Sequence, residues 1–426
     1  MAFGDNANDT YTETEKVSYG SRIGDSFRGM LPGILMFLGA FPLLFWNEGR
    51  AVKTARALDE GQGVVIEVES NKTIDPDNDG KLVHMTGRAD VSNVIEDAEF
   101  GIREENCIRL ERTVEIYQWV EHSETTEKKN LGGSVTKTTT YSYALQWCDE
   151  PVNSSGFKKP GHDNPPGEME FKSRTWEAET VTFGAFRLSE RQIARIGNDR
   201  DYMIPASFTS LVARVQVAGG TIYVPEAGTR GNALNNRNVA SETRPGDMRV
   251  KYRVVKPHDV SIVSKQRGES FVPFTSKKGG GYKVDLLKDG VADPDEMFEE
   301  ARTSNAVLTW FLRVLGFFLM FFGLKKFLAP LSTLGDVLPI LGDVLEVGLG
   351  LVAGVIALVC ALVTCAIAWV VYRPLLGIVL LVLAGAGIWF LWRKRAALKS
   401  GAGAVLGKAR EIKKKVEEAE KKGANA

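Results

Sequence analysis

VLTWFLRVLGFFLMFFGL, residues Val307–Leu324, is an apolar run with a single charge, Arg313. Two uncharged runs follow it: VGLGLVAGVIALVCALVTCAIAWVVY at Val347–Tyr372 and LLGIVLLVLAGAGIWFLW at Leu375–Trp392. A bilayer core about 30 Å thick takes about 20 helical residues, and only helices or closed barrels satisfy their backbone inside it. The runs lack the polar alternation of a barrel strand, so all three are expected to be spanning helices.

Working outward, a fourth run stands near the N-terminus: MLPGILMFLGAFPLLFW at Met30–Trp46, preceded by Arg22 and Arg28. It ends in Phe-Trp-Asn-Glu-Gly-Arg rather than in small residues suited to cleavage, which favours a retained span over a signal peptide. Pro32 and Pro42 are expected to kink or end it. Residues Met1–Tyr19 are polar and aperiodic and read as a mobile tail.

Basic residues beside membrane spans mark the cytoplasmic side. Arg393, Lys394, Arg395 and Lys399 follow the last run, Lys325 and Lys326 close the second, and Arg22 and Arg28 precede the first. The expected order is a cytoplasmic tail (1–29), a first span (30–46), an extracytoplasmic or lumenal domain (47–305) and a second span (306–324). A cytoplasmic or interfacial loop (325–346), a third span (347–372), a fourth (375–392) and a basic cytoplasmic tail (393–426) complete it. The fold class is thus an α+β membrane protein with four transmembrane helices and a large β-rich domain inserted between helices 1 and 2.

With 426 residues the chain has room for that domain beside the membrane block, and its 53 basic residues balance its 53 acidic ones. That balance excludes a globally basic nucleic-acid binder. Four cysteines do not make a disulfide scaffold. Cys107 and Cys148 could pair if their domain lies outside the cytosol, but sequence does not supply their distance.

Within the middle domain, Thr138–Trp147 alternates with a period of two and reads as a strand, with Thr113–Val120 before it and Glu121–Lys137 as a long hairpin turn. Further strands are expected at Val64–Glu69, Leu82–Thr86, Leu211–Val217, Thr221–Val224, Met248–Val255 and Val260–Lys265. Ser189 and Gln192 have capping-box spacing. Asp293-Pro294-Asp295-Glu296 opens a helix that can run straight into the second span.

Candidate functional charges are few. Arg313 lies inside a span, where an ionisable group is a functional candidate, yet about two turns from the edge it can also snorkel. Asp336 and Asp343 recur in a seven-residue repeat, Leu334-Gly-Asp-Val-Leu338 and Leu341-Gly-Asp-Val-Leu345, which would put both on one helix face. They read either as carboxylates at membrane depth or as water-facing acids of an interfacial loop. Gly348, Gly350 and Gly354 have spacings suited to close helix contact. Arg393, Lys394, Arg395 and Lys399 would attract anionic lipid at about 1 kcal/mol each near the surface.

No Walker loop, His-Glu-x-x-His or Gly-x-Ser-x-Gly occurs. His162-Asp163 is the best single pair for acid–base or metal work, but no further ligand stands at a recognisable spacing. Lys278-Gly-Gly-Gly281 resembles a phosphate cradle without the helix that should follow. Neither a catalytic residue nor a cofactor is expected.

Several blocks, taken in order, resemble the LUMA (transmembrane protein 43) family. They are Asn47-Glu-Gly-Arg-Ala-Val-Lys-Thr-Ala55, Gly80-Lys-Leu-Val-His84, Val114-Glu-Ile-Tyr-Gln-Trp-Val-Glu121 and Tyr141-Ser-Tyr143 with Trp147. Gly161-His-Asp-Asn-Pro165, Gly246-Asp-Met-Arg-Val250 and Gln266-Arg-Gly-Glu-Ser-Phe-Val-Pro-Phe274 continue the series. The resemblance implies a four-span protein of the endoplasmic reticulum and inner nuclear membrane, or of a bacterial inner membrane with a periplasmic domain. It implies self-association and the organising of membrane-protein complexes, with no catalytic residue to carry over and a proposed role in ion conduction. The charged extension from Leu398 departs from the pattern of animal members. The reading is a non-enzymatic scaffold with membrane lipids, other membrane proteins and a second copy of itself as partners. A channel or transport subunit using Arg313, Asp336 and Asp343 is the alternative, and an extracytoplasmic lipid or glycan enzyme is a third.

Overall fold

The structure, a computed structural model, describes residues 9–212, 214–226, 238–337, 339–374, 378, 379 and 382. Thr10–Val17 (β1) is its first element. The Thr, Glu and Lys of this segment hide a strand, because neither face is apolar and no hydrophobic period results. Its pairing with a later strand, Thr10↔Ser142 through Val17↔Val135, means that residues 10–17 are not a free tail.

Ser18 then caps α1 (Tyr19–Val64), its hydroxyl accepting from the Ser21 amide at 3.2 Å. The helix runs unbroken through Pro32 and Pro42, against the expected kink or stop. Prolines are tolerated in membrane helices where neighbouring helices and local adjustments compensate the freed carbonyls. The helix takes Val64 and its cap Val65 from the strand expected at Val64–Glu69, of which Ile66–Glu67 pair as a strand.

The domain between the helices is built on Leu82–Asp90 (β2), Arg109–Lys129 (β3), Val135–Cys148 (β4), Met248–Val255 (β5) and His258–Arg267 (β6). In β3 the side chains at 110, 112, 114, 116 and 118 are buried in alternation, after which His122–Lys128 are all exposed. The hairpin turn is therefore short, residues 130–134, not the whole of Glu121–Lys137. Among the described residues an eight-stranded sheet runs β1–β4–β3–β5 and on to Thr221–Val224 and Gln216–Ala218. Phe100, Leu110, Val114, Ile222, Val250 and Tyr252 form its core.

A second sheet contains β6 and β2, paired His258↔Ala89 through Lys265↔Leu82. The short strands Ser270–Val272, Phe186–Arg187 and Thr182–Phe183 link these two again from the other side, so that five strands close into a ring. Phe183, Phe186, Ile262 and Phe271 fill it. The predicted capping box is present: Ser189 and Gln192 open the single turn Glu190–Ile193 (α2).

Asp293 starts α3 (Pro294–Gly335), accepting from the Glu296 amide at 2.7 Å, with Pro294 at the first position where its missing N–H costs nothing. The helix passes without a break from the domain into the apolar run. Phe298 and Met297 of α3 and Leu58 of α1 pack with Leu82 and Val263, seating both helices on the ring of strands. Pro339–Tyr372 form α4. The segment 325–346 is thus mostly helix, and the repeat is split, with Asp336 capping α3 and Asp343 in α4. The two aspartates do not share one helix face.

Among the described residues three helices are long and apolar enough to cross a membrane: Tyr19–Val64, Pro294–Gly335 and Gly342–Tyr372. The run Leu375–Trp392 lies outside the described residues except at 378, 379 and 382. Lipid offers no hydrophobic drive to bring spans together, so close backbone contact through small residues matters. Gly33 and Gly323 supply it. A Cβ on Gly323 would stand 2.7 Å from the Gly33 carbonyl oxygen and from the Phe37 nitrogen. Both neighbours are backbone and have nowhere to move. Gly323→Val should therefore cost about 2 kcal/mol by overpacking, read as a lower Tm of the detergent-solubilised protein. An unchanged Tm would contradict the close α1–α3 contact.

Candidate functional site

The helices α1 and α3 run antiparallel, which sets Glu48, just past the apolar run of α1, beside Arg313, just inside that of α3. Glu48 is 1% exposed. Arg313 grips it with both forks of its guanidinium, Nε to Oε1 at 2.6 Å and Nη2 to Oε2 at 2.8 Å. Trp369 of α4 donates its indole N–H to the same carboxylate at 2.6 Å. The guanidinium carbon also lies 4.8 Å from the Trp310 ring centre and 5.6 Å from that of Trp369. One carboxylate thus joins all three helices, and Arg313 is paired within the bundle rather than reaching for the water.

A second tier of polar bonds continues outward. Asn47 donates to the Thr309 carbonyl at 3.0 Å, Arg50 donates to Asn305 and to the Thr309 hydroxyl at 2.9 Å, and Asn305 donates to the Ala51 carbonyl at 3.0 Å. A cavity of 280 Å³ opens here, lined in part by Glu48, Asn305, Arg313 and Trp369. Its one carboxylate is bonded to Arg313 and Trp369, and it holds no free nucleophile or base.

At the other end of the bundle, Asp336 is 2% exposed. It pairs with Arg22 of α1 and with Lys129 at the tip of the β3–β4 hairpin, the latter at 3.1 Å. Lys129 also reaches Asp343 at 2.8 Å and Glu346 at 3.1 Å. Burial works against the ammonium of Lys129, but its bonds to Asp343, Asp336 and Glu346 outweigh that and raise its pKa above the ordinary lysine value. Backbone bonds seal the joint: Arg22 donates to the Gly133 carbonyl at 2.6 Å and the Gly132 amide to the Val337 carbonyl at 3.1 Å. Asp336 and Asp343 are brought together after all, by a lysine more than two hundred residues away (336 − 129 = 207).

Other expected site residues fall elsewhere. Added Cβ atoms at Gly348 and Gly350 would meet nothing within 4 Å, and one at Gly354 only the Phe321 ring at 3.7 Å. Among the described residues, close helix contact is made at Gly33, Gly323, Gly316 and Gly49. Cys107 and Cys148 are both free thiols. Cys148 pairs in register with Ile116, nine positions from Cys107 (116 − 107), or about 30 Å along an extended strand, so the two cannot be joined. Burial pushes the Cys107 thiol up to about 11, which keeps it inert. Arg393, Lys394, Arg395 and Lys399 lie outside the described residues.

His162 is buried against Tyr143, with ring centres 4.1 Å apart. Its Nε2 stands 2.8 Å from Asp9, which Lys159 also binds at 2.8 Å. These bonds, that to Lys159 first, hold the Asp9 carboxyl below the usual carboxylate range. The cluster ties the start of β1 to the loop before Pro165, and the adjacent Asp163 is exposed and takes no part. The Lys278–Gly281 turn grips α1, the Lys278 amide donating to Glu60 at 2.7 Å. No group of three or more metal-suited side chains occurs among the described residues.

Removing one partner of a buried pair leaves the other charge uncompensated, which costs about 3–5 kcal/mol. Arg313→Gln should therefore lower the Tm of the solubilised protein sharply, and Glu48→Gln with Arg313→Met should restore most of the loss. Equal Tm values for Arg313→Gln and the parent chain would show that Glu48 is not held as described.

Comparison with known proteins finds relatives over most of the chain. The family model described as transmembrane protein 43 matches residues 116–374. The chain is 33% identical over 392 residues to "Transmembrane protein 43" of Pongo abelii, covering 88% of this chain and 94% of that one. It is 34% identical over 366 residues to the protein of the same name in Mus musculus, covering 83% and 87%. It is 28% identical over 370 residues to a "Transmembrane protein 43 homolog" of Drosophila melanogaster, covering 84% and 93%. No solved structure matches.

Proposed function

The chain belongs to the transmembrane protein 43 family of membrane proteins, and on that premise we propose that it is a non-enzymatic scaffold. In this reading it associates with copies of itself and holds membrane-protein partners or lipid through its spans and outer domain. The observation that carries it is the use made of the charges in and beside the spans. Arg313, Asp336 and Asp343 are each bonded to a side chain from a different element, so they build a frame. Charges spent on one another are poorly placed for turnover, which needs a free acid, base or nucleophile.

The outer faces of the bundle support the same reading. Leu31, Leu35 and Leu38 of α1, Phe311 and Val314 of α3, and Leu351, Val355 and Leu362 of α4 are all more than half exposed or close to it. Such faces are covered by lipid or by other helices in a bilayer. Lys325 and Lys326 favour the Asp336 end of the bundle as the cytoplasmic side by the positive-inside rule, with the ring of strands at the opposite end and the β3–β4 hairpin reaching back to Asp336. Conduction through Arg313, Asp336 and Asp343 has less support, since each is locked in an ion pair. An outer-face enzyme has less still, with His162 spent on Asp9 and Tyr143.

Native mass spectrometry of the full chain released from nanodiscs tests the proposal. A defined oligomer carrying a fixed number of lipids is the expected result. A bare monomer at every lipid composition would overturn self-association as the core activity.

A further inference from the structure

The apolar runs of all three helices end at one level. Trp46 closes that of α1 just before Glu48, Val307 opens that of α3 just after Asn305, and Tyr372 closes that of α4 just before Arg373. The 280 Å³ cavity beside Glu48 lies at this level, with Arg302, Arg313 and Arg373 and the indoles of Trp310 and Trp369 in its lining. Where apolar helix gives way to polar chain a bilayer presents its phosphates, and tryptophans are enriched at that boundary.

The charges of this cavity do not cancel. Three guanidinium groups stand against one carboxylate, and that carboxylate, Glu48, is already held by Arg313 and Trp369. Arg302 bonds outward, to Asp59 at 3.1 Å and to Glu299 at 2.9 Å, whose side chains are 66% and 70% exposed. Ion pairs so open to solvent are weak and easily exchanged. Arg373 is exposed and has no ion pair among the described residues. Its backbone is nonetheless fixed, since its amide donates to the Trp369 carbonyl at 2.6 Å and Arg56 donates to the Tyr372 carbonyl at 2.6 Å. An apolar surface borders the cavity. Val307 and Val314, three and four positions from Trp310 and so on its face of α3, are 64% and 50% exposed.

We propose that this cavity is a head-group site for an anionic glycerophospholipid, the phosphate held between Arg302 and Arg373 and the acyl chains lying on the Trp310 face of α3. The planar guanidinium fork matches phosphate oxygens. A zwitterionic lipid would carry its own cation toward the same arginines, so the net positive lining selects a head group of net negative charge. The volume fits this use, because 280 Å³ is small beside ligand pockets of about 300–1,000 Å³ and suits a head group whose chains lie outside. The occupant is a membrane lipid rather than free phosphate because the cavity stands where three apolar runs end and α3 continues from it with exposed valines. The inference rests on the lipid-holding part of the scaffold reading above and gives it a place and a chemical class.

Native mass spectrometry of the full chain, released from nanodiscs of phosphatidylcholine doped with phosphatidylglycerol, tests it. The parent chain should retain phosphatidylglycerol in preference to phosphatidylcholine. Arg302→Gln with Arg373→Gln should lower the retained phosphatidylglycerol about tenfold or more, as the loss of two phosphate-facing charges implies. Arg28→Gln removes a like charge from a side chain 87% exposed at the other end of the bundle and should leave retention at the parent value. Equal retention by parent and double variant, or of the two lipids by the parent, would overturn the inference. Full displacement of the lipid by inorganic phosphate would make this a site for the free anion and overturn it as well. A phosphatidylglycerol bearing a diazirine keeps the test independent of whether the variants fold. In the parent chain its label should concentrate on the peptides that hold Trp310 and Arg373, and even labelling along α1, α3 and α4 would contradict the site. A monomer that retains the lipid upholds the inference while self-association fails, and an oligomer without it does the reverse.

Discussion

The carboxylate of Asp336 is the constraint on which this arrangement depends. It sits at the C-terminal end of α3 and is closed off from water by Arg22 of α1 and Lys129 of the hairpin tip. Three distant pieces of chain therefore meet at one buried charge: the start of the first long helix, the end of the second, and the turn of the longest strand pair. A buried acid is tolerable only with its cations in place. Once they are, the hairpin cannot remain with the outer domain, and the strand must be long enough to reach.

At the opposite end the domain is fastened by packing rather than by charge. Phe298 and Leu58 share a core with Leu82 and Val263, and the Lys278–Gly281 turn closes on α1. Because α3 is continuous from Pro294 into its apolar run, no slack linker intervenes between the domain and the membrane helices. Between these two fastenings, Glu48 with Arg313 and Trp369 sets the depth of α1, α3 and α4 relative to one another. Lipid supplies little driving force for helix association, so such polar links and the Gly33–Gly323 contact fix the bundle.

Much of this was legible in the residues. The spans were announced by apolar length, α3 by Asp293-Pro294, and β5 by the alternation of Met248–Val255. The Arg313–Glu48 pair was within reach too, since two antiparallel spans carry opposite charges at the same end, but pairing them required knowing that those spans are neighbours. The strands at Thr10–Val17 and at residues 122–129, which flank β4, were not legible. Thr, Ser, Glu and Lys on both faces leave no period of two in hydrophobicity, so Thr10–Val17 read as a tail and His122–Lys129 as a turn. Nor could the split of the seven-residue repeat be seen, because a lysine in the hairpin, not a shared helix face, unites Asp336 with Asp343. Gly348 and Gly350 had the spacing of contact residues and meet no neighbour among the described residues, while Gly33 and Gly323 touch across different helices.

The docking of the hairpin tip on the far end of the bundle is the claim from which the rest follows, and one distance tests it. Spin labels at Leu131→Cys and Leu334→Cys, both exposed, would be placed in a chain with Cys148, Cys360 and Cys365 replaced by Ser, Cys107 being buried. Pulsed electron paramagnetic resonance in nanodiscs should give a narrow distribution near about 20 Å. If the tip instead stays with the outer domain, the helix between Phe298 and Leu334 separates the labels by about 50 Å at 1.5 Å per residue, and a peak there would contradict the account.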